Sequence, residues 1–157
     1  MPESPRHSVS VAGITVRGDG RILAVRRADN DTWEPPGGLL ELDEQPQTGV
    51  VREVFEETRI KVDVRQLTGV YKNMTLGVVA LVFRCKPTAG TERTSSESTA
   101  VEWLTPDEIR ERMSGVFAVR VRDALDGNGP HVRSHDDKRL IPVGSRVRLD
   151  GSASGDA

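Results

Sequence analysis

At 157 residues, with 36% hydrophobic and 29% charged side chains, the chain is sized for one globular domain and composed neither for a membrane span nor for disorder. A formal charge of −2 speaks against nucleic-acid binding through bulk electrostatics. Cys85 is the only cysteine, so no intramolecular disulfide can form; with no basic-then-apolar leader and no apolar run near ~20 residues, the expected setting is cytoplasmic and away from membranes.

Residues 1–7 carry two prolines and no apolar pattern, and are expected to be a flexible arm before a domain over 8–143. Val9 to Val16 is β-branched and roughly alternating, and Gly18-Asp19-Gly20 turns it into Ile22 to Val25, which predicts a hairpin. In Trp33 to Gly38, adjacent prolines and paired glycines exclude a helix and predict a shaped loop or bulged edge strand. Gln45 to Thr58 predicts a helix, with Pro46 tolerated in its first turn and Val51, Val54 and Phe55 as its packing side.

Val62 to Tyr71 and Leu76 to Cys85 predict strands, the second apolar enough to be central in a sheet. Thr88 to Thr99 reads as a polar loop and Val101 to Leu104 as a short strand. Thr105 then caps a helix, with Pro106 at its first position and Glu108 closing a capping box; a further helix is expected over Val116 to Leu125. Residues 144–157 are expected to be a flexible C-terminal tail. Strands, helix, strands and helices in this order give a mixed sheet with helices on its faces.

The helix from Gln45 carries the chemistry. At about 100° per residue, Glu53, Glu56 and Glu57 fall within roughly one 100° sector. Like charges so spaced cost a few tenths of a kcal/mol per pair, a penalty that a divalent cation reverses. Mg²⁺ prefers such oxygens and shares its remaining positions with substrate phosphates, where it neutralises the diphosphate and acidifies an attacking water. Arg52 can brace the cluster through Glu56 or through a carboxylate of the preceding loop.

Alone, such a run is an ordinary solvated helix face; the longer spacing is not. Gly38, five residues, Glu44, seven residues, Arg52-Glu53, apolar Val54, one residue, Glu56-Glu57 and then apolar Ile60 give six fixed positions. A chance match is on the order of one in 10⁷ per window. The pattern closely resembles the Nudix box, and the flanks Trp33, Pro36-Gly37-Gly38, Glu41, Glu97 to Leu104 and Thr105 to Glu108 are also similar to that family. The resemblance implies an α/β/α sandwich with a mixed β-sheet, Mg²⁺ or Mn²⁺ as cofactor, and hydrolysis of a nucleoside diphosphate linked to a further group. Carried over, it makes Glu53 and Glu57 principal metal ligands, Glu56 a ligand or the base, and Glu44 or Arg52 the brace of the box. Gly37 and Gly38 would lie against metal or phosphate, and Glu97 would be an additional catalytic carboxylate or a solvated loop residue.

Two positions depart from the pattern. Arg59 replaces the glycine that ends the box helix, which predicts a shifted helix end or a loss of about 1 kcal/mol. Asp43 stands where glycine is frequent. Leu76 and Gly77 occupy the positions where some relatives carry a proline or tyrosine tied to ADP-ribose or dinucleoside polyphosphates. Arg26 and Arg27 either clamp phosphates or end a solvated strand, and Trp33 and Tyr71 either stack a base or pack. His131 and His135 lack an evident third ligand for zinc, and Arg120 and Arg122 read as salt-bridged surface residues. From Arg110 to Arg148, nine Lys+Arg face five Asp+Glu, a basic third that either holds phosphates near the carboxylates or is scattered in solvent.

The combined reading is a Mg²⁺-dependent pyrophosphohydrolase attacking phosphorus with water, on a nucleoside triphosphate or related nucleotide. The alternatives are an ADP-ribose or nucleotide-sugar pyrophosphatase and, in another class, a noncatalytic nucleotide-binding regulator of the same fold. The partner is a small-molecule nucleotide, and homodimers are common among similar proteins.

Overall fold

The computed structural model describes residues 3–144 and the backbone of 146–147 and 153–154. The expected C-terminal tail therefore lies largely outside the described residues. Among the described residues, eleven strands and three helices follow in order: β1 (Ser8–Thr15), β2 (Ile22–Arg27), β3 (Trp33–Glu34), β4 (Gly37–Leu39), α1 (Pro46–Thr58), β5 (Lys61–Asn73), β6 (Val78–Ala89), β7 (Ser98–Leu104), α2 (Pro106–Arg112), α3 (Gly115–Leu125), β8 (His131–His135), β9 (Leu140–Ile141), β10 (Arg146–Val147) and β11 (Ala153–Ser154).

The main sheet has the order β4-β1-β6-β5-β8-β9, with β1 parallel to β6, β5 parallel to β8 and the remaining pairs antiparallel. A smaller antiparallel sheet has the order β3-β2-β7. Two apolar clusters occupy the two faces of the main sheet. One joins Val50 and Val54 of α1 to Val11, Val62, Phe83 and Cys85; the other joins Ile109, Val119, Val121 and Ala124 of α2 and α3 to Ala12, Ile14, Tyr71 and Val82. This is an α/β fold with a mixed sheet between helices. No described helix is long and apolar enough to cross a membrane.

Three expectations change. The expected turn forms, with the Gly20 N–H donating to the Arg17 carbonyl and the Arg17 N–H to the Arg21 carbonyl, each at 2.9 Å, but beyond the Val16–Ile22 bridge β1 and β2 do not pair as a hairpin. Both edges of β1 are already taken by β4 and β6, so β2 pairs instead with β3 and β7. On α1 the packing side is Gly49, Val50, Val54 and Thr58, not Val51, Val54 and Phe55; Val51 is 38% exposed. The reason lies on β1, where a Cβ at Gly13 would stand 3.0 Å from Val54 and 3.1 Å from Val50. The bare backbone at Gly13 is the seat for that pair, each worth about 1.5–3 kcal/mol of burial.

Arg120 is the third. It is not a surface residue but 8% exposed, with no carboxylate within 4.0 Å among the described residues. Its guanidinium lies 4.9 Å from the Tyr71 ring centre and 5.1 Å from that of Phe117, and Nη2 is 3.1 Å from Nε2 of buried His135. The His135 Nδ1 lies 2.6 Å from the Asp136 carbonyl, so Nδ1 carries the proton and Nε2 accepts from Arg120. Beside it the Tyr71 hydroxyl donates to buried Asp123 at 2.7 Å, and Arg133 donates to both oxygens of that carboxylate at 2.7 and 2.8 Å. These bonds tie α3 to β5 and β8. Tyr71→Phe should lower stability by about 1.5 kcal/mol, as for a hydrogen bond to a buried charge, measured by urea unfolding; an unchanged midpoint would show that Arg133 alone satisfies Asp123.

Candidate active site

The box helix begins after a turn in which the Glu44 backbone donates to the Glu41 carbonyl at 3.2 Å and the Glu44 carboxylate accepts the Glu41 N–H at 3.2 Å. Asp43 needs no left-handed backbone there, because the described non-glycine residues with positive φ are Asp31 and Arg59. Arg52 gathers the loop and the helix. Its Nε and Nη2 donate to the two oxygens of Glu44 at 2.6 and 2.8 Å, Nη1 to Glu53 at 2.9 Å and Glu56 at 3.3 Å, and Nη2 also to the Leu39 carbonyl at 3.2 Å. One planar cation thus fixes the loop before the helix and two carboxylates on it.

Across from the helix, the Gly37 N–H donates to Glu57 at 3.3 Å, and a Cβ on Gly38 would stand 2.6 Å from the Glu53 carboxylate. A side chain at position 38 would occupy the space the carboxylate uses. Gly37, Gly38, Glu53, Glu57, Arg27 and Glu97 border one cleft of 440 Å³. Burial pushes the Glu57 carboxyl up to about 8, assisted by the negative charges of Glu53, Glu34 and Glu97. Glu53 is also raised, chiefly by burial and against the pull of Arg52. Two partly buried carboxylates, both raised chiefly by burial, lie side by side at the cleft wall. Hard oxygen donors around a space free of side chains fit a hard divalent cation.

The box helix ends where expected, not shifted. Arg59 takes the left-handed conformation itself, at φ 66° and ψ 12°, and its N–H donates to the Phe55 carbonyl at 2.8 Å. Its guanidinium lies 5.3 Å from the Phe55 ring centre, a contact that offsets part of the strain. Arg59→Gly should therefore raise stability by about 0.5–1 kcal/mol in urea unfolding and leave kcat within twofold; a destabilised variant would mean that the stacking outweighs the backbone strain.

The structure brings Glu53, Glu57, Glu97, Arg27, Gly37 and Gly38 together, with Glu56 more exposed and outside the cleft lining. It does not bring Arg26 or Trp33 there. Along β2, Leu23, Val25 and Arg27 face the box helix while Ile22, Ala24 and Arg26 face the other side, and Arg26 pairs with Asp31 at 2.6 Å. Trp33 bridges to Met113 and packs in the opposite cluster, with Arg112 5.7 Å from its ring centre. Glu34, to which the sequence reading gave no role, sits largely buried beside the cleft. It accepts from Arg27 at 3.2 Å, and burial raises its carboxyl. Arg27 also donates twice to Asp29, at 2.9 and 2.6 Å, so its guanidinium is held in place. Strand alternation from Val25, paired with Glu34, was the available signal for both residues.

His131 and His135 do not share a site. His131 instead has Asp123 and Asp126 within ligand distance, the third partner that the sequence did not reveal, yet Asp123 is already engaged by Tyr71 and Arg133. Buried Cys85, under Gly13, has its thiol pushed up to about 12 and is inert.

Fold and cleft together define a mixed α/β sandwich with a carboxylate-lined cleft at the box helix. The NUDIX domain family matches residues 6–123. A MutT-like protein of Streptomyces ambofaciens is 74% identical over 140 residues, covering 89% of this chain and 91% of its own length. A putative 8-oxo-dGTP diphosphatase of Bacillus subtilis (strain 168) is 29% identical over 90 residues, 57% of this chain and 60% of that protein. In fold, the chain resembles the crystal structure of a NUDIX hydrolase from Nitrosomonas europaea, with a TM-score of 0.73 and 21% identity over 87% of this chain and 82% of the other. The chain belongs to the NUDIX domain family and is a Nudix hydrolase.

Proposed function

We propose that this hydrolase is a Mg²⁺-dependent pyrophosphohydrolase of a nucleoside triphosphate, with water attacking phosphorus. The observation that carries the reading is the cleft in which Glu53 and Glu57 face the bare backbone of Gly37 and Gly38, with the clamped guanidinium of Arg27 on the same wall. The name of the Bacillus subtilis relative supports a purine nucleoside triphosphate as the substrate class.

Glu53 and Glu57 would hold the cation, with Glu56 more exposed beside them as a further oxygen donor. Mg²⁺, or Mn²⁺ in its place, supplies charge neutralisation of the diphosphate and acidification of the attacking water. Arg27, immobilised by Asp29 and Glu34, orients the phosphates without reorganising as charge develops. Glu97, on the loop opposite the box helix, accepts the proton of the attacking water. Arg52 and Glu44 keep the helix and its loop in register.

A panel of nucleoside triphosphates, ADP-ribose and nucleotide sugars, assayed with Mg²⁺ for release of pyrophosphate or monophosphate, tests this. A triphosphate should be turned over with at least about tenfold higher kcat/KM than any other class. Preference for ADP-ribose or a sugar nucleotide would overturn the substrate, and binding of Mg²⁺-nucleotide without turnover would overturn the reaction.

A further inference from the structure

The basic third of the sequence is not spent on the catalytic cleft. Of its described cations, Arg120 is buried, Arg133 is bound to Asp123, and Arg112 is paired with Glu102 and Glu108 at 2.9 and 3.1 Å. The other four, Arg110, Arg122, Lys138 and Arg139, all border one groove of 680 Å³ between α2, α3 and residues 138–140. Its floor is apolar, from Ile109, Val119, Leu125 and Leu140 among others. Arg110 is held by Asp107, whereas Arg122, Lys138 and Arg139 have no carboxylate within 4.0 Å among the described residues. Asp126, the one carboxylate of the lining, lies 2.9 Å from His131.

A groove of this volume falls within the ~300–1,000 Å³ range of small-molecule sites. Three uncommitted cations at the mouth of an apolar trough repel one another, and an anion there would offset that repulsion. The apolar floor offers nothing to a fully hydrated anion such as phosphate, but it can take hydrocarbon out of water. The helices that wall the groove cover the face of the main sheet opposite α1, so the groove and the catalytic cleft share no lining residue.

We propose that this groove is a second ligand site, independent of the hydrolase centre, for a small anionic amphiphile: an apolar chain ending in a carboxylate, the chemistry of a free fatty acid. The chain lies along the floor between α2 and α3, and the head sits between Arg122, Lys138 and Arg139. No covalent step is involved.

Isothermal titration of the full chain with dodecanoate below its micelle concentration, against acetate and dodecyltrimethylammonium, tests the site. Dodecanoate should bind one saturable site at least about tenfold more tightly than either control. The exposed double variant Arg122→Glu, Arg139→Glu should weaken it by about tenfold or more, Ala118→Trp should abolish it by filling the groove that Ala118 of α3 lines, and nucleotide hydrolysis should be unchanged in the double variant. Three results would overturn the proposal: no saturable dodecanoate binding, affinity for the cationic chain equal to that for dodecanoate, or double-variant affinity equal to wild type. Displacement of dodecanoate by Mg²⁺-nucleotide would place the ligand in the catalytic cleft and overturn it as well. Because the double variant is exposed and folds independently of whether Ala118→Trp does, one arm always reports.

Discussion

Glu57→Gln should reduce kcat by about three orders of magnitude, ~4 kcal/mol of barrier, while making the cation-free protein more stable at pH 8. The first effect follows from the proposed role of Glu57 as a charged ligand opposite the Gly37–Gly38 turn. The second follows from the carboxyl's own position. Its folded value of about 8 lies above the ordinary 4.5, so between those values the folded chain holds a proton that the unfolded chain has released. Stability from this group is complete below about 4.5 and is lost as pH rises towards 8. Gln carries no such penalty, so its advantage over wild type in urea unfolding with EDTA should grow from pH 5 to pH 8. Mg²⁺ should narrow the gap by stabilising wild type, by about 2.7 kcal/mol at a hundredfold excess over Kd, and the variant far less. Activity within twofold of wild type, or a stability gap that does not widen with pH, would remove Glu57 from the metal site.

The box helix was legible because its spacing is local. Thirteen residues of helix and the loop before it carry their pattern within one stretch of sequence, and each fixed position has a visible contact: Arg52 with Glu44, Glu53 and Glu56, Gly38 with Glu53, and Glu57 with the Gly37 N–H. The packing side of the same helix was not legible. Apolar residues at 50, 51, 54 and 55 make a stripe wide enough to be rotated, and the choice is made by Gly13, more than thirty residues away, which opens a seat for Val50 and Val54. The β1-β2 hairpin failed for a related reason. A turn between two strands is a local signal, but the eight-residue parallel register of β1 with β6 is a long-range pairing that overrides it.

Arg26 and Arg27 show how far alternation alone could have gone. Side chains one residue apart on a strand face opposite ways, so at most one of the pair could enter a cleft on the α1 side. Leu23 and Val25 in the core beneath α1 and the cleft select Arg27. Arg120 was beyond any such argument. Its burial depends on Tyr71, Phe117 and His135 meeting from β5, α3 and β8, a coincidence of three elements that no window of sequence contains.

Arg52→Ala should lower the melting temperature by about 5 °C and reduce kcat by about a hundredfold, although Arg52 is assigned no bond to substrate. The Glu44 side chain is only 7% exposed and takes both of its strongest bonds from Arg52, at 2.6 and 2.8 Å. Without the guanidinium, that carboxylate loses its counter-ion, and Glu53 loses the donor that orients it towards Gly38. Arg52→Lys keeps the charge but cannot span both oxygens of Glu44 while also reaching Glu53, so it should recover stability more than activity. Glu44→Gln separates the two functions. It should destabilise the fold, yet added to Arg52→Ala it should cost little further, because the carboxylate that Arg52 neutralised is then gone. Thermal melts and steady-state kinetics on the three single variants and the double variant measure this. Strict additivity in both readouts would mean that Arg52 acts on Glu53 alone and that the loop before the helix is held by something else.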